Sequence, residues 1–349
     1  MHSSHPGPAS HPGPASHPRL ASRPRLASRP RLAVVLAAAL LLVLSPLTTG
    51  SAPAAPPPPA PPMGKMSTTT LLLSSIPATG GRAVPFLRLP TRHMKAGQSI
   101  YVVGRMAAVT NVPRGPMMGI RIICLGGSGG PFTVRNHDGR AYGVQAIVVR
   151  WLFTAPHDGN YTCELRGVGA TQIDPQVARL DLVASRSLLQ VTPVRTGAQG
   201  WMTGADTCVG TQGIPNIPQC AQPRSAVTVL ARHLSAGTAR FVNTVTDVQL
   251  SREYGAYPGG SSTVKVTLHA TPSTASGHPC APVRSTSRTA TINGHVHHYK
   301  VNLTLPGTRV NLGGGCGRQV LLQTRVEHLA GNPVTVHDSR YSNAAAWTY

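Results

Sequence analysis

The sequence predicts an all-β protein made of two tandem, disulfide-stapled β-sandwich domains that follow a signal peptide and a proline-rich linker. Three observations predict this. Short apolar runs alternate with polar residues and are broken by Gly, Pro, Asn or Asp about every ten residues. The six cysteines form an even set. The second half of the chain also repeats features of the first. No segment carries a sustained apolar stripe of helical period, so we expect little helix.

Residues 1–54 are predicted to be a low-complexity n-region and a signal peptide. Five arginines precede an apolar run from Leu32 to Leu44, and a small-residue site follows, so we expect cleavage after Ala54. The apolar run is shorter than the roughly 20 residues that span a bilayer. An uncleaved segment, the alternative, would be the chain's only contact with a membrane. The His-Pro-Gly-Pro-Ala-Ser repeats at the start leave the true start codon open.

The next segment, residues 55–80, is predicted to be a disordered, proline-rich linker. Between Ser51 and Pro62, seven of twelve residues are proline, which favours an extended polyproline conformation. The remaining chain is too long for one typical core, so we expect two domains, 81–195 and 196–349.

A repeated hexapeptide supports the division into two halves. Arg92–Gly97 reads Arg-His-Met-Lys-Ala-Gly, and Arg232–Gly237 reads Arg-His-Leu-Ser-Ala-Gly. Four residues after each glycine comes an aromatic residue followed by valine, at Tyr101 and at Phe241. An alternating apolar strand and a cysteine pair follow in both halves, so we interpret the second domain as a copy of the first.

The cysteines are predicted to form three disulfides, because all six follow an export signal and oxidising compartments favour disulfides. The repeat selects one pairing scheme. The expected bridges are Cys124–Cys163, Cys280–Cys316 and, by exclusion, Cys208–Cys220. A metal site is the alternative, but the chain lacks any Cys-x-x-Cys spacing.

Period-2 alternation predicts six strands in each domain. In the first domain they are Val84–Leu89, Ser99–Val109, Gly119–Leu125, Val144–Phe153, Tyr161–Val168 and Ala178–Val191. In the second they are Ala226–Leu230, Ala239–Leu250, Ser262–Ala270, His295–Leu305, Gln319–His328 and Pro333–Asp338. The tripeptide His-Asp-Gly occurs at 137–139 and 157–159, and Asp-Gly between strands predicts hairpin turns there.

The string Tyr161-Thr162-Cys163 resembles the immunoglobulin-like strand that carries a tyrosine corner and the second cysteine of an intersheet disulfide. The resemblance covers these few positions only. Trp151 lies near the second cysteine, whereas the family places its tryptophan shortly after the first. The resemblance therefore implies a β-sandwich that is Ig-like in the broad sense, without immunoglobulin topology.

One motif suggests catalysis. Gly126–Pro131 reads Gly-Gly-Ser-Gly-Gly-Pro, which resembles the nucleophile segment of chymotrypsin-like proteases and fits the Gly-x-Ser-x-Gly pattern of α/β-hydrolases. The first acidic residue is Asp138, after the serine, so a chymotrypsin-order triad is excluded. The string also cannot start the helix that a hydrolase elbow needs. We interpret it as a flexible loop and expect no enzyme; a secreted hydrolase with an unrecognised active site is the alternative.

Metal and cofactor sites are poorly supported. His295 and His297 lie on one face of a predicted strand, a spacing that can bind Zn or Cu, but no third ligand lies nearby in sequence. An exposed strand edge with ordinary histidines explains them better. Acidic residues are too scattered for a calcium site. We expect no metal and no cofactor.

The charge points to anionic partners. The full chain carries a formal net charge of +22, although arginine-rich coding with charge scattered over strand faces is an equally simple source. No contiguous Arg stripe predicts specific nucleic-acid binding. We expect an exported binding or structural protein that contacts an anionic cell-wall polymer, a polysaccharide or another envelope protein. Binding is expected at loop tips, through Arg114, Met117, Tyr254 and Tyr257.

Overall fold

The computed structural model describes residues 70–71, 73, 75–77, 82–111, 117–136, 143–171, 178–201, 204–214, 216–252, 260–293 and 298–348. All described residues belong to one compact unit. The predicted signal peptide and its cleavage site lie outside the described residues. Within those residues, no helix has the length and apolar character needed to cross a membrane.

The described chain is all-β, with 21 strands and two short 3-10 turns. The strands are β1 (Thr70–Leu71), β2 (Ser75–Pro77), β3 (Val84–Arg88), β4 (Arg92–Met94), β5 (Ser99–Thr110), β6 (Met117–Leu125), β7 (Thr133–Asn136), β8 (Gln145–Thr154), β9 (Gly159–Ala170), β10 (Arg179–Leu182), β11 (Leu188–Pro193), β12 (Thr196–Trp201), β13 (Thr207–Val209), β14 (Ala226–Ser235), β15 (Phe241–Arg252), β16 (Ser261–Ser273), β17 (Arg284–Asn293), β18 (His298–Arg309), β19 (Gln319–Gly331), β20 (Val334–Val336) and β21 (Asn343–Thr348).

The strands form four sheets, two in each half of the described chain. Sheet 1 has the order β1-β3-β9-β6-β7, with β4 also on β9, and sheet 2 has the order β11-β5-β10-β2, with β8 also on β5. Sheet 3 has the order β12-β21-β15-β20-β13, with β18 also on β15, and sheet 4 has the order β14-β19-β16-β17. All named pairings are antiparallel.

The two halves use the same pairing scheme. A long central strand, β5 or β15, pairs with three others: β8, β11 and β10 in the first half, and β18, β21 and β20 in the second. In the facing sheets, β9-β6-β7 corresponds to β19-β16-β17, and β3 and β4 correspond to β14. The repeated hexapeptides occupy equivalent places, ahead of β5 and of β15.

Each half is a β-sandwich with its own core. In the first, Phe86, Met106, Ile122 and Trp151 are among the buried side chains between sheets 1 and 2. The core of the second lies between sheets 3 and 4 and consists mainly of Val, Leu, Ile and Ala. Alternate residues of each strand supply these cores, as the period-2 pattern predicts.

The three disulfides join the cysteines as expected, Cys124–Cys163, Cys208–Cys220 and Cys280–Cys316. They indicate a chain that folds in an oxidising compartment. Cys124 and Cys163 are direct partners on β6 and β9. This bridge therefore lies within one sheet, whereas the immunoglobulin resemblance implies one between sheets.

The tyrosine corner is present. The Tyr161 hydroxyl donates a hydrogen bond to the carbonyl oxygen of His157 at 2.7 Å, four residues upstream. The expected hairpin at 157–159 is wrong, however, because β8 and β9 belong to different sheets and do not pair. The second His-Asp-Gly string, at 137–139, lies outside the described residues.

Two segments differ from the expected boundaries. Strands β1 and β2 fall inside the segment expected to be a disordered linker, and Ile76 is only 1% exposed in the first core. The expected strand Ala178–Val191 is two strands separated by a 3-10 turn at Ala184–Arg186. The Gly-Gly-Ser-Gly-Gly string is a hydrogen-bonded turn, in which Gly130 N donates to Ile122 O at 2.8 Å.

Candidate functional site

The two sandwiches meet along β15, a strand that is buried on both faces. Its even-numbered residues face the core of the second sandwich, and its odd-numbered residues face the first. Four of the latter, Val245, Asp247, Gln249 and Ser251, form a row that passes from apolar to polar. Opposite them on β18 stand Thr304, Asn302, Lys300 and His298. This row organises the candidate site.

At its apolar end, the interface is an ordinary hydrophobic contact. Leu152 of β8 packs with Val245, Ala345 and Trp347, and the Trp347 ring stacks on Tyr101 with centroids 4.0 Å apart. Stacked aromatic pairs add to the energy of area burial. This end of the interface therefore joins the two sandwiches through apolar and aromatic contacts.

Next along the row, a buried ion pair crosses the interface. Arg150 of β8 projects from an otherwise apolar strand, and its Nε donates to Asp247 Oδ1 at 2.8 Å; its Nη2 also donates to that oxygen. Arg150 is 7% exposed and Asp247 is fully buried. Asn302 Nδ2 donates to the same oxygen at 2.7 Å. Two charges removed from water need such partners.

The guanidinium of Arg150 is bound on its remaining sides. It donates to the carbonyl oxygens of Thr246 and Leu303 at 2.8 and 2.9 Å, and to Thr304 Oγ1 at 2.6 Å. Burial lowers the pKa of Arg150, but the charges of Asp247 and Tyr101 and their hydrogen bonds together outweigh this, so its pKa lies above the ordinary value. Arg150 therefore remains charged inside the interface.

Gln249 and Lys300 continue the row. The Gln249 side chain pairs with the backbone of Val134, accepting from its N–H at 3.2 Å and donating to its carbonyl at 3.0 Å. Lys300 Nζ donates to the carbonyl oxygen of Tyr341. Burial, opposed by Asp247 and assisted by Arg150, lowers the pKa of Lys300 to about 8. The ammonium group is thus held in an unfavourable environment.

The polar end of the row meets the turn His337–Ser342, which connects β20 to β21. Asp338 shapes this turn, because its Oδ1 accepts from Arg340 N at 3.0 Å and its carbonyl accepts from Tyr341 N and Ser342 N. Ser342 Oγ accepts from Gln249 N at 2.9 Å. The turn is therefore fixed to β15 from several directions.

Within this turn, His337 lies between a serine and an aspartate. Its Nε2 is 2.8 Å from Ser251 Oγ, and its Nδ1 is 3.0 Å from Asp206 Oδ2. Asp206 Oδ1 accepts from Asp338 N at 2.9 Å. In the tautomer that donates from Nδ1 to Asp206, Nε2 can accept a hydrogen bond from the Ser251 hydroxyl. This is the connectivity of a Ser-His-Asp triad.

The surroundings of Ser251 do not complete a catalytic site. Ser251 is 5% exposed and lies inside β15, between the paired strands β18 and β20. Its backbone N–H therefore faces a neighbouring strand and is not placed to stabilise an oxyanion. His298 stacks on His337 with centroids 6.2 Å apart. In the part of the chain that the structure describes, no group of three or more His, Cys, Asp or Glu side chains is arranged to hold a metal ion.

Beside the triad-like group, a groove of about 850 Å³ opens between the two sandwiches. One wall is the His337–Ser342 turn, which contributes Arg340 and Tyr341, and the other carries Arg121 and Phe132. The walls are joined where Phe132 N donates to Arg340 O at 2.8 Å. The Phe132 and Tyr341 rings meet edge to face, 6.3 Å apart, and Arg340 lies over Tyr341.

Two glycines leave space for the side chains of Arg121 and Phe132 in their wall of the groove. A Cβ on Gly129 would lie 2.4 Å from Arg121 Nη2, and one on Gly119 would lie 2.4 Å from Phe132 Cζ. Arg121 Nη2 donates to Gly130 O at 3.2 Å, while its buried Nε finds no hydrogen-bond partner among the described residues. The glycine-rich string that resembled a nucleophile segment thus forms one side of an arginine-bearing groove.

A second, polar cleft of about 1020 Å³ lies in the second sandwich, next to the loop closed by Cys208 and Cys220. Its polar lining includes Asp206, Thr207, Gln219, Gln222, Arg224, Thr228 and Arg325. Arg224 is positioned by its backbone, which bonds to Cys208 O at 3.3 Å and to Gly210 N at 2.9 Å. The cleft therefore rests on the disulfide-stapled segment.

Most of the predicted binding residues lie outside the described part of the chain: Arg114, Tyr254, Tyr257, His295 and His297. Met117 is described. It is half-buried at the start of β6 and pairs with Asn136, whose Oδ1 accepts from His298 N at 2.8 Å. Met117 therefore lies at the same end of the molecule as the polar residues of the row.

Sequence reasoning missed the residues that the structure brings together here. Asp206, Ser251 and His337 are separated by tens of residues, and no local spacing connects them. One signal was visible: Arg150 interrupts the run Ile147-Val148-Val149-Arg150-Trp151-Leu152, and a charge in such a run needs a buried partner.

No protein-family model and no curated protein matches the sequence. Among solved structures, the chain is similar to the N-terminal CBM22-1–CBM22-2 tandem domain of Paenibacillus barcinonensis Xyn10C, at 11% identity over 81% of this chain and 99% of that chain, with a TM-score of 0.23. It is also similar to the VP2 subviral particle of infectious bursal disease virus, at 8% identity over 82% and 72% of the two chains, with a TM-score of 0.28.

Proposed function

We propose that this is an exported, non-enzymatic binding protein that holds an anionic polysaccharide or wall polymer in the groove between its two sandwiches. The observation that carries the proposal is the pairing of two arginines with two aromatic rings in one groove, formed by Arg121, Arg340, Phe132 and Tyr341. Guanidinium groups bind carboxylates and phosphates, and aromatic rings give flat apolar surfaces for sugar rings.

The charge of the chain supports this choice of ligand. Outside the first 54 residues, 27 Lys and Arg stand against 10 Asp and Glu, a net charge near +17. Such a field attracts anionic polymers and weakens as salt is added. Arg340 is paired with Asp338 only through its Nε, so its terminal nitrogens have no protein acceptor among the described residues. They are available to a ligand.

Replacing both groove arginines in the variant R121Q/R340Q should weaken binding of polygalacturonate about tenfold or more, because two charge-assisted contacts are lost. Titration calorimetry at low and high salt measures this, with neutral dextran as the ligand control. The variant R179Q/R186Q removes the same charge from exposed sites away from the groove, and should bind nearly as the parent does. Equal losses in the two variants would show that net charge alone is responsible.

The Ser251–His337–Asp206 group favours a second candidate, a secreted esterase. In that reaction Ser251 Oγ would bond to the ester carbonyl carbon, and its proton would pass through His337 Nε2 to the leaving alcohol. Water would then release the acid by the same route. The burial of Ser251 and its position inside a paired strand favour the binding function instead.

A fluorophosphonate probe separates these two functions, since it labels only an activated serine. We expect no labelling of the parent protein, because Ser251 is buried and lacks oxyanion donors. Labelling that disappears in S251A, together with ester hydrolysis, would establish the esterase and overturn the non-enzymatic assignment.

A further inference from the structure

The groove between the sandwiches and the polar cleft of the second sandwich meet at one residue. Gly204 lines both cavities, with Arg340 and Tyr341 on one side and Asp206, Gln219 and the neighbouring cleft residues on the other. Gly204 is exposed, and a Cβ built on it would have no atom of the described residues within 4 Å, its chain neighbours aside. The surface between the two cavities is therefore open at this point.

The cleft, like the groove, carries two arginines. Arg224 and Arg325 are exposed on its walls, and Gln219 and Gln222 supply amide groups that can both donate and accept hydrogen bonds. Its one carboxylate, Asp206, is already bound to His337 and to the backbone of Asp338. The side chains that remain suit hydroxyl groups and carboxylates.

Strand pairing and a disulfide hold the backbone of the cleft walls in place. Thr228 of β14 is paired with Arg325 of β19, and the Cys208–Cys220 bridge closes the loop that carries Gln219. Residues held by strand pairing and a disulfide lose little conformational entropy on binding. The cleft is therefore suited to add affinity to a ligand that already occupies the groove.

From this geometry we infer that groove and cleft form one continuous site for an extended anionic polysaccharide chain that crosses Gly204. This inference rests on the proposed function and adds the length and course of the ligand. A chain long enough to reach both cavities gains affinity through linked contacts, whereas a short fragment occupies the groove alone. The protein therefore prefers long chains to fragments.

The variant G204W tests the inference, because it adds bulk between the cavities at a position where the Cβ itself meets no described atom outside the neighbouring residues. The probes are short and long size fractions of oligogalacturonate, titrated by calorimetry. The parent protein should bind the long fraction at least tenfold more tightly than the short one. In G204W the preference for the long fraction should be lost, so that the two fractions bind with the same affinity.

Two further variants make the outcomes distinct. S287W adds the same bulk on the exposed edge strand β17 and should bind both fractions as the parent does. R224Q/R325Q should lose affinity for the long fraction only. If G204W and R224Q/R325Q both keep the preference for long chains while R121Q/R340Q loses binding, the continuous site is wrong and the groove remains. If R121Q/R340Q also binds normally, the proposed function itself fails.

Discussion

Replacing Arg150 by methionine should lower the free energy of unfolding by about 3–5 kcal/mol, because a buried carboxylate loses the cation that is hydrogen-bonded to it. Asp247 is fully buried, and in the variant its remaining hydrogen-bond donor is Asn302; the Lys300 ammonium, which donates to Tyr341 O, does not replace the lost ion pair. Urea denaturation followed by tryptophan fluorescence measures the change. Trp347 lies in the interface, and Trp151, the residue after Arg150, is buried in the core of the first sandwich.

The controls separate a buried pair from an exposed one. Arg179 and Asp181 form an ion pair whose side chains are 55% and 39% exposed, so R179M should change the free energy of unfolding by at most about 1 kcal/mol. The double variant R150M/D247L removes both buried charges and should recover much of the stability. A single variant R150M as stable as the parent protein would contradict the buried ion pair.

The stability of the protein should also rise between about pH 8 and pH 10.5, by an amount traceable to Lys300. Burial lowers the pKa of this lysine to about 8, from 10.5 in the unfolded chain. Below pH 8 both states are protonated, and the folded state bears the full cost of the buried charge. Between the two pKa values the unfolded chain holds the proton and the folded protein does not. Raising the pH therefore favours folding.

The comparison with K300M isolates this contribution. Between pH 8 and pH 10.5, the free energy of unfolding of the parent should rise by about 3 kcal/mol relative to that of K300M. This value follows because each unit of pKa difference contributes about 1.36 kcal/mol. Urea midpoints at a series of pH values give the difference. Lys95 is exposed and provides the matched variant K95M, whose free energy of unfolding should change with pH as that of the parent does. A difference between parent and K300M that stays constant with pH would contradict the buried ammonium.

Local alternation predicted most of the strands, but not those whose residues carry no apolar signal. Strand β17 reads Arg-Ser-Thr-Ser-Arg-Thr-Ala-Thr-Ile-Asn and lies exposed at a sheet edge, so its pattern is that of a loop. Strand β21 is fully buried but consists of Asn, Ala, Trp and Thr. Its small side chains pack between two sheets, which sequence propensity does not favour.

The candidate site was less predictable than the fold. The sequence directs attention to loop tips, of which only Met117 lies among the described residues, and to the glycine-rich string, which forms a wall of the groove and not a nucleophile segment. Arg340 and Tyr341 follow β20 with no motif around them. Their partners Arg121 and Phe132 lie in the other sandwich, more than two hundred residues away, so no spacing links the two pairs.

The amino-acid sequence alone predicts two sandwiches in series, the pairing of the six cysteines and which residues of the main strands face the core. These depend on alternation along a single strand and on a repeated order of elements, both of which are local. The tertiary structure alone decided that outward-facing residues of β8, β15 and β18 meet one another instead of water. A polar residue between apolar neighbours has the same sequence pattern whether its side chain faces water or a second sandwich. Only the packing of the two sandwiches buries Arg150, Lys300 and Ser251.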